Sequence, residues 1–197
     1  MGRLKPCIGL LEFSSIAAGY EATDAAMKEA PIEVLLSRPV SPGKHLLLIT
    51  GEVDEVKCAL AKARSGRQDA LLDELVLPNA HPDIAPALAG PRPARDVEAV
   101  GLVETLTVAT AIVGADIAVK RASVHLLCLV LANGIGGKAY FAVAGETSNV
   151  EAAVASAAEF ARERAVLART MVLPSPDPRL LDYLVAYPDP APRYPIY

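Results

Sequence analysis

The chain has 197 residues, 52% hydrophobic, 21% charged and only 5% aromatic, with a formal net charge of −4 and a mean hydropathy of +0.32. That length holds one large domain or two of roughly 90 residues, and the apolar surplus beyond a core's needs predicts burial in an interface. An acidic balance with no Lys/Arg cluster excludes a nucleic-acid footprint, and the longest apolar run, near Leu126–Ala132, falls well short of the roughly 20 residues that span a bilayer.

In chain order, Arg3 and Lys5 are followed too soon by Glu12 for a signal peptide, which predicts a cytoplasmic protein. A Val/Ile/Leu-rich strand is expected at 7–13. A helix over about 15–30 starts from a Ser14-Ser15 cap, with Ile16, Tyr20, Thr23, Met27 and Ala30 on one stripe expected to face the core. Strands at 32–38 and 44–50, an amphipathic helix at 53–65 and a strand at 73–77 complete the set. Ala89 to Arg95, rich in Pro and Gly, has the composition of a linker.

The pattern then starts again. Ile8-Gly9-Leu10-Leu11-Glu12 recurs as Val100-Gly101-Leu102-Val103-Glu104, an offset of 92 residues. Asp24 and Lys28 fall on Asp116 and Lys120 at the same offset, Gly43-Lys44 and Gly51-Glu52 on Gly137-Lys138 and Gly145-Glu146 at 94, and Val76-Leu77-Pro78 on Val172-Leu173-Pro174 at 96. The helix twin places Val108, Ile112, Ala115, Val119 and Ala122 on its stripe, and 147–164 matches the second helix. The fold class expected is α+β: two tandem ferredoxin-like domains of split βαβ type, each a four-stranded antiparallel sheet with two helices on one face and the other face bare. The boundaries are 1–90 for the first domain, 91–95 for the linker and 96–185 for the second, with a Pro- and Tyr-rich tail over 186–197 read as neither helix nor central strand.

Several motifs invite chemistry and fail. Asn133–Lys138 and Gly43-Lys44 lack the leading Gly and the trailing hydroxyl of a phosphate loop, having Ala132 with Ala139 and Arg38 with His45 in those places. His45, His81 and His125 have no partner at metal spacing, and Cys7, Cys58 and Cys128 form no CxxC pair, so free thiols and no metal are expected. Glu12 and Glu104 resemble a catalytic carboxylate pair, but an acid and a base need different environments. Repetition by duplication points instead to the fold or a repeated interface.

The Gly-Leu-x-Glu openings, the Asp-x-x-x-Lys pairs, the two hairpin loops, the Gly-Glu strand ends and the closing Val-Leu-Pro together resemble the bacterial microcompartment shell proteins over about residues 5–185. The similarity is to the tandem-domain (BMC-T) members that form trimers shaped like hexamers, and most to the single-layer, unpermuted members of propanediol-type compartments. The resemblance implies a non-enzymatic structural role: a homotrimeric tile of the shell facet, working with hexameric and pentameric shell proteins and with enclosed enzymes. It implies a central pore for small metabolites lined by Val40, Ser41, Pro42, Gly43, Ile135, Gly136 and Gly137. It also implies tile-edge contacts at Lys28, Lys120, Asn79 and Ser175, although the family often has Arg where Asn79 and Ser175 stand. The similar members carry cysteine where Ser41 stands, three of which hold an iron–sulfur cluster; a hydroxyl does not replace a thiolate there, so no cofactor is expected. The competing readings are a pore-centred electron or cofactor conduit, or a cytosolic trimeric ferredoxin-like protein that binds a small molecule.

Overall fold

In the computed structural model, residues 7–90, 92 and 97–186 are described. The first repeat runs β1 (Cys7–Phe13), α1 (Ile16–Glu29), β2 (Glu33–Val40), β3 (Lys44–Gly51), α2 (Val53–Arg64), β4 (Leu71–Leu77) and a short α3 (Ile84–Ala89). The second runs β5 (Ala99–Thr105), α4 (Val108–Arg121), β6 (His125–Leu131), β7 (Ala139–Gly145), α5 (Thr147–Glu163), β8 (Leu167–Pro174) and α6 (Pro178–Ala186). The sheets have orders β2-β3-β1-β4 and β6-β7-β5-β8, with every neighbouring pair antiparallel. This is the split βαβ topology, twice.

Local chemistry starts the helices where the sequence places them. Ser15 and Thr107 accept from the amides of Ala18 and Thr110 as N-caps of α1 and α4, and Glu52 and Glu55 form a capping box at α2. The Gly of each Gly-Leu opening has a packing reason. A Cβ at Gly9 would stand 2.7 Å from Val56, and one at Gly101 would stand 2.4 Å from Val154. Only glycine lets α2 and α5 lie this close to the central strands.

The core-facing side of α1 corrects the expectation. Gly19, Ala22 and Ala26 are its buried residues, while Ile16, Tyr20 and Met27 stand 40%, 52% and 61% exposed. Small residues allow the helix to sit tightly on the sheet, which leaves the large apolar ones outside. The twin stripe on α4 is buried as expected: Val108 and Ile112 are 0% exposed and Val119 is 8%.

Two helices went unread. Pro82 and Pro86 obscure α3, although Pro is tolerated near a helix start. The helix α6 reaches Ala186, the first residue of the expected tail; the rest of that tail, and most of the linker, lie outside the described residues. The faces expected to be bare are covered as well. Ile8, Leu10, Leu46 and Leu48, on the face of the first sheet away from α1 and α2, are buried, and Leu181 of α6 packs on Val100, Leu127, Cys128 and Val130 of the second. The domains share one core, because a single cluster runs from Leu10 and Leu48 through Ile84 and Ala87 to Val103, Ile112 and Phe141.

Candidate functional site

The hairpin loops of the two repeats come together. The Ser41 amide donates to the Ala132 carbonyl at 3.2 Å, and a Cβ on Gly137 would lie 3.4 Å from Pro42 Cδ and 3.6 Å from Lys44 Nζ. Gly43 (φ 89°), Gly134 (φ 72°), Gly136 (φ 66°) and Gly137 (φ 82°) take the left-handed backbone that keeps both turns tight. Val40 is buried at the end of β2, Ser41 and Ile135 are half-buried, and Pro42, Gly43 and Gly136 are exposed.

Each loop is braced by the recurring glutamate. Lys44 Nζ donates to Glu12 Oε1 at 2.6 Å, and Lys138 Nζ donates to Glu104 Oε1 at 2.9 Å. Because Glu12 faces Leu46 and Glu104 faces Tyr140 across the ladder, the carboxylates stand beside the hairpin bases. The first pair is the more enclosed, with the Glu12 side chain 3% exposed and that of Glu104 31%. Recurrence pointed to a structural role for these glutamates, and the Gly-Lys dipeptide supplies the partner that the sequence did not reveal.

The loops do not fit an iron–sulfur centre. Val40–Gly43 and Asn133–Gly137 offer a hydroxyl, an amide side chain and backbone groups, but no thiolate. The cysteines lie elsewhere, Cys7 in β1, Cys58 on the exposed side of α2 and Cys128 in β6. Burial pushes the Cys7 thiol up and that of Cys128 to about 11, so both stay protonated and inert. Among the described residues, no group of three or more His, Cys, Asp or Glu side chains could hold a metal ion.

From the loops a seam runs outward between the domains, with α3 packed against β6 and α4. The buried Asp116 carboxylate accepts from the His81 amide at 2.7 Å and from Lys120 Nζ at 2.6 Å. Lys120 Nζ also donates to the Asn79 carbonyl at 2.8 Å. Asn79 (φ 55°) and Ser175 (φ 47°) both turn left-handed after Val-Leu-Pro. Two residues expected at tile edges, Lys120 and Asn79, thus meet each other inside one chain. The other two do not meet: Lys28 is bonded to Asp24 at 2.6 Å on an exposed helix face, and Ser175 donates its amide to the Glu98 carbonyl.

Two fused copies of one sheet-and-helix unit, with their hairpin loops nested and their seam closed by a buried carboxylate, define a tandem-domain α+β scaffold protein. The comparisons agree on which one. The BMC domain model matches residues 7–80 and 99–176. The bacterial microcompartment shell protein PduT of Citrobacter freundii is 44% identical over 173 residues, 88% of this chain and 94% of that protein. A crystal structure of a microcompartment protein from Desulfitobacterium hafniense superposes with a TM-score of 0.84 at 38% identity, covering 88% of this chain and 97% of that one. A fused permuted hexameric shell protein of the RMM microcompartment, 20% identical, shares the fold with a TM-score of 0.59 over 79% of this chain and 83% of its own. The chain belongs to the BMC-domain family of bacterial microcompartment shell proteins.

Proposed function

We propose that three copies of this chain close into a six-domain disc, a non-enzymatic tile of a microcompartment shell in the cytoplasm, with the paired loops around a central pore. The observation that carries this reading is the nesting of Ser41–Gly43 against Ala132–Gly137, since it sets the loops of successive domains side by side at one end of the seam. Repeating that step brings all six loops to a common axis. Ser41 hydroxyls and loop amides then offer hydrogen bonds but no redox centre, which suits small polar or anionic metabolites. The tile edge falls at Lys28, Lys120, Asn79 and Ser175, where discs meet each other and the hexameric and pentameric shell proteins. An ammonium has three N–H donors, and Lys120 spends two on Asp116 and Asn79, leaving one for a neighbouring tile.

Native mass spectrometry of the purified chain tests the assembly, and electron microscopy of concentrated samples tests the tiling. The expected species is a trimer that grows into flat sheets, and a variant with Lys28→Ala and Lys120→Ala keeps the trimer but loses the sheets. A monomeric parent chain overturns the disc; a trimer whose double variant still forms sheets removes the edge role of the lysines.

A further inference from the structure

The helix α6 rests on the outer face of the second sheet through Leu181, packed against Val100, Leu127, Cys128 and Val130. Beside that contact the helix and the sheet enclose a pocket of about 310 Å³. Its floor is Leu102, Glu104 and Tyr140 of β5 and β7, and its wall is Leu180, Tyr183 and Leu184 of α6. The volume lies at the small end of the roughly 300–1,000 Å³ usual for ligand pockets, and apolar walls around one charged group fit the same pattern.

The first repeat shows what the fold alone requires at this place. Leu10, Glu12 and Leu46, the equivalents of Leu102, Glu104 and Tyr140, are 0%, 2% and 0% exposed, so the same patch of sheet is sealed. In the second repeat all three residues are half-buried. Glu12 faces Leu46 across the ladder and Glu104 faces Tyr140, so an aromatic ring replaces an aliphatic side chain beside the carboxylate where the patch is open. The helix repeats the change. Continuing the offset of 96, Tyr183 stands where the first repeat has Ala87, 76% exposed against 3%. Two tyrosines thus enter together in the one repeat that leaves this patch accessible, and neither fills a core.

From this we infer that the pocket between α6 and the second sheet binds a small organic ammonium ion with a short apolar tail. The carboxylate supplies the charge: Glu104 Oε1 accepts from Lys138 Nζ at 2.9 Å, and Oε2 has no hydrogen-bond partner among the described residues. The faces of tyrosine rings attract a cation held within about 6 Å of their centroids, and the three leucines take the tail. An anion meets the Glu104 charge instead, and a neutral alcohol gains only the apolar contact. The ligand and Lys138 share one carboxylate and repel each other, so removing Lys138 strengthens binding. The site lies within one chain and does not depend on the disc.

Calorimetric titration of the full chain with three probes of one shape, hexylammonium, 1-hexanol and hexanoate, tests the site. Hexylammonium is expected to bind about tenfold more tightly than hexanol, and hexanoate not to bind. Glu104→Gln should remove that preference and keep the hexanol affinity, and Tyr183→Ala should weaken hexylammonium by about threefold. Glu104→Gln also breaks the loop brace, so Lys138→Met serves as its control. It breaks the same brace from the other side yet should raise the hexylammonium affinity, which separates loss of the brace from loss of the site. If the Gln variant does not fold, Tyr183→Ala and Lys138→Met decide. No binding, equal affinity for the ammonium and the alcohol, or a hexylammonium affinity that the Glu104 and Tyr183 variants leave unchanged overturns the inference.

Discussion

Gly19 lies directly over the His45 ring: a Cβ on Gly19 would stand 2.1 Å from His45 Cγ and 2.3 Å from Cδ2. The second repeat solves the same position differently, with Ala111 and Ala139 at the equivalent places, both fully buried. Glycine with a ring and alanine with alanine fill the same space between the first helix and the third strand.

Gly19→Ala should therefore destabilise the chain even though alanine favours a helix interior by about 1 kcal/mol over glycine. The overlap forces ring or helix to shift, an overpacking cost of about 1–3 kcal/mol or more. Urea unfolding is expected to show a lower midpoint for Gly19→Ala, recovered in part when His45→Ala is added, which recreates the pairing of the second repeat.

His45 also sets a pH dependence. It is fully buried; its Nε2 lies 3.0 Å from Ser37 Oγ, which in turn lies 2.7 Å from Thr23 Oγ1, and Tyr20 packs edge-on against the ring. Nδ1 has no hydrogen-bond partner among the described residues, and burial pushes the imidazole's pKa below its ordinary value near 6.5. The unfolded chain therefore binds the proton first, so this contribution to stability is present above about pH 6.5 and is lost as pH falls below it. Unfolding midpoints measured from pH 7.5 to 5 should drop on the acid side, and His45→Phe, which keeps the ring and removes the titration, should flatten that drop. An equal drop in the variant would assign it to other groups.

The two loop braces should differ in strength. Lys44→Met leaves Glu12 almost wholly buried without its cation, a loss of about 2–3 kcal/mol, below the usual range for a fully buried pair because Lys44 keeps some contact with water. Lys138→Met strips a pair whose side chains are 31% and 46% exposed and should cost about 0–1 kcal/mol. Denaturant titrations of the two variants side by side check the order, and equal losses would contradict the burial argument.

Ser41→Cys tests the placement of the pore. Three thiols at the axis of a disc could ligate an iron–sulfur cluster, so the variant reconstituted with iron and sulfide without oxygen is expected to gain a visible absorbance absent from the parent. A folded trimeric variant that stays colourless would move position 41 off the axis.

Much of the architecture was legible because duplication writes each structural demand twice. Gly9 and Gly101 mark the close approach of a helix to a strand, Gly43 and Gly137 mark left-handed turns, and Glu12 and Glu104 mark the brace at each hairpin base. Strand order followed from element order, since a strand-helix-strand-strand-helix-strand unit packs both helices on one face of an antiparallel sheet in few ways. The sequence by itself thus determined the repeat, the topology and the family. Which side of α1 is the inside was not legible. Periodicity registers apolar residues without saying what they touch, and here the small Gly19, Ala22 and Ala26 fill the tight space against the sheet while Ile16, Tyr20 and Met27 face outward. The meeting of Lys120 and Asp116 with Asn79 and His81 depends on contacts between residues 35 to 41 positions apart, set by how one domain sits on the next, and the covering of each sheet's second face depends on contacts longer still in sequence, such as Leu181 on Val130. Only the tertiary structure decided those, because a carboxylate and a lysine four residues apart look the same in both repeats until a second domain buries the carboxylate of one pair and leaves the other pair in water.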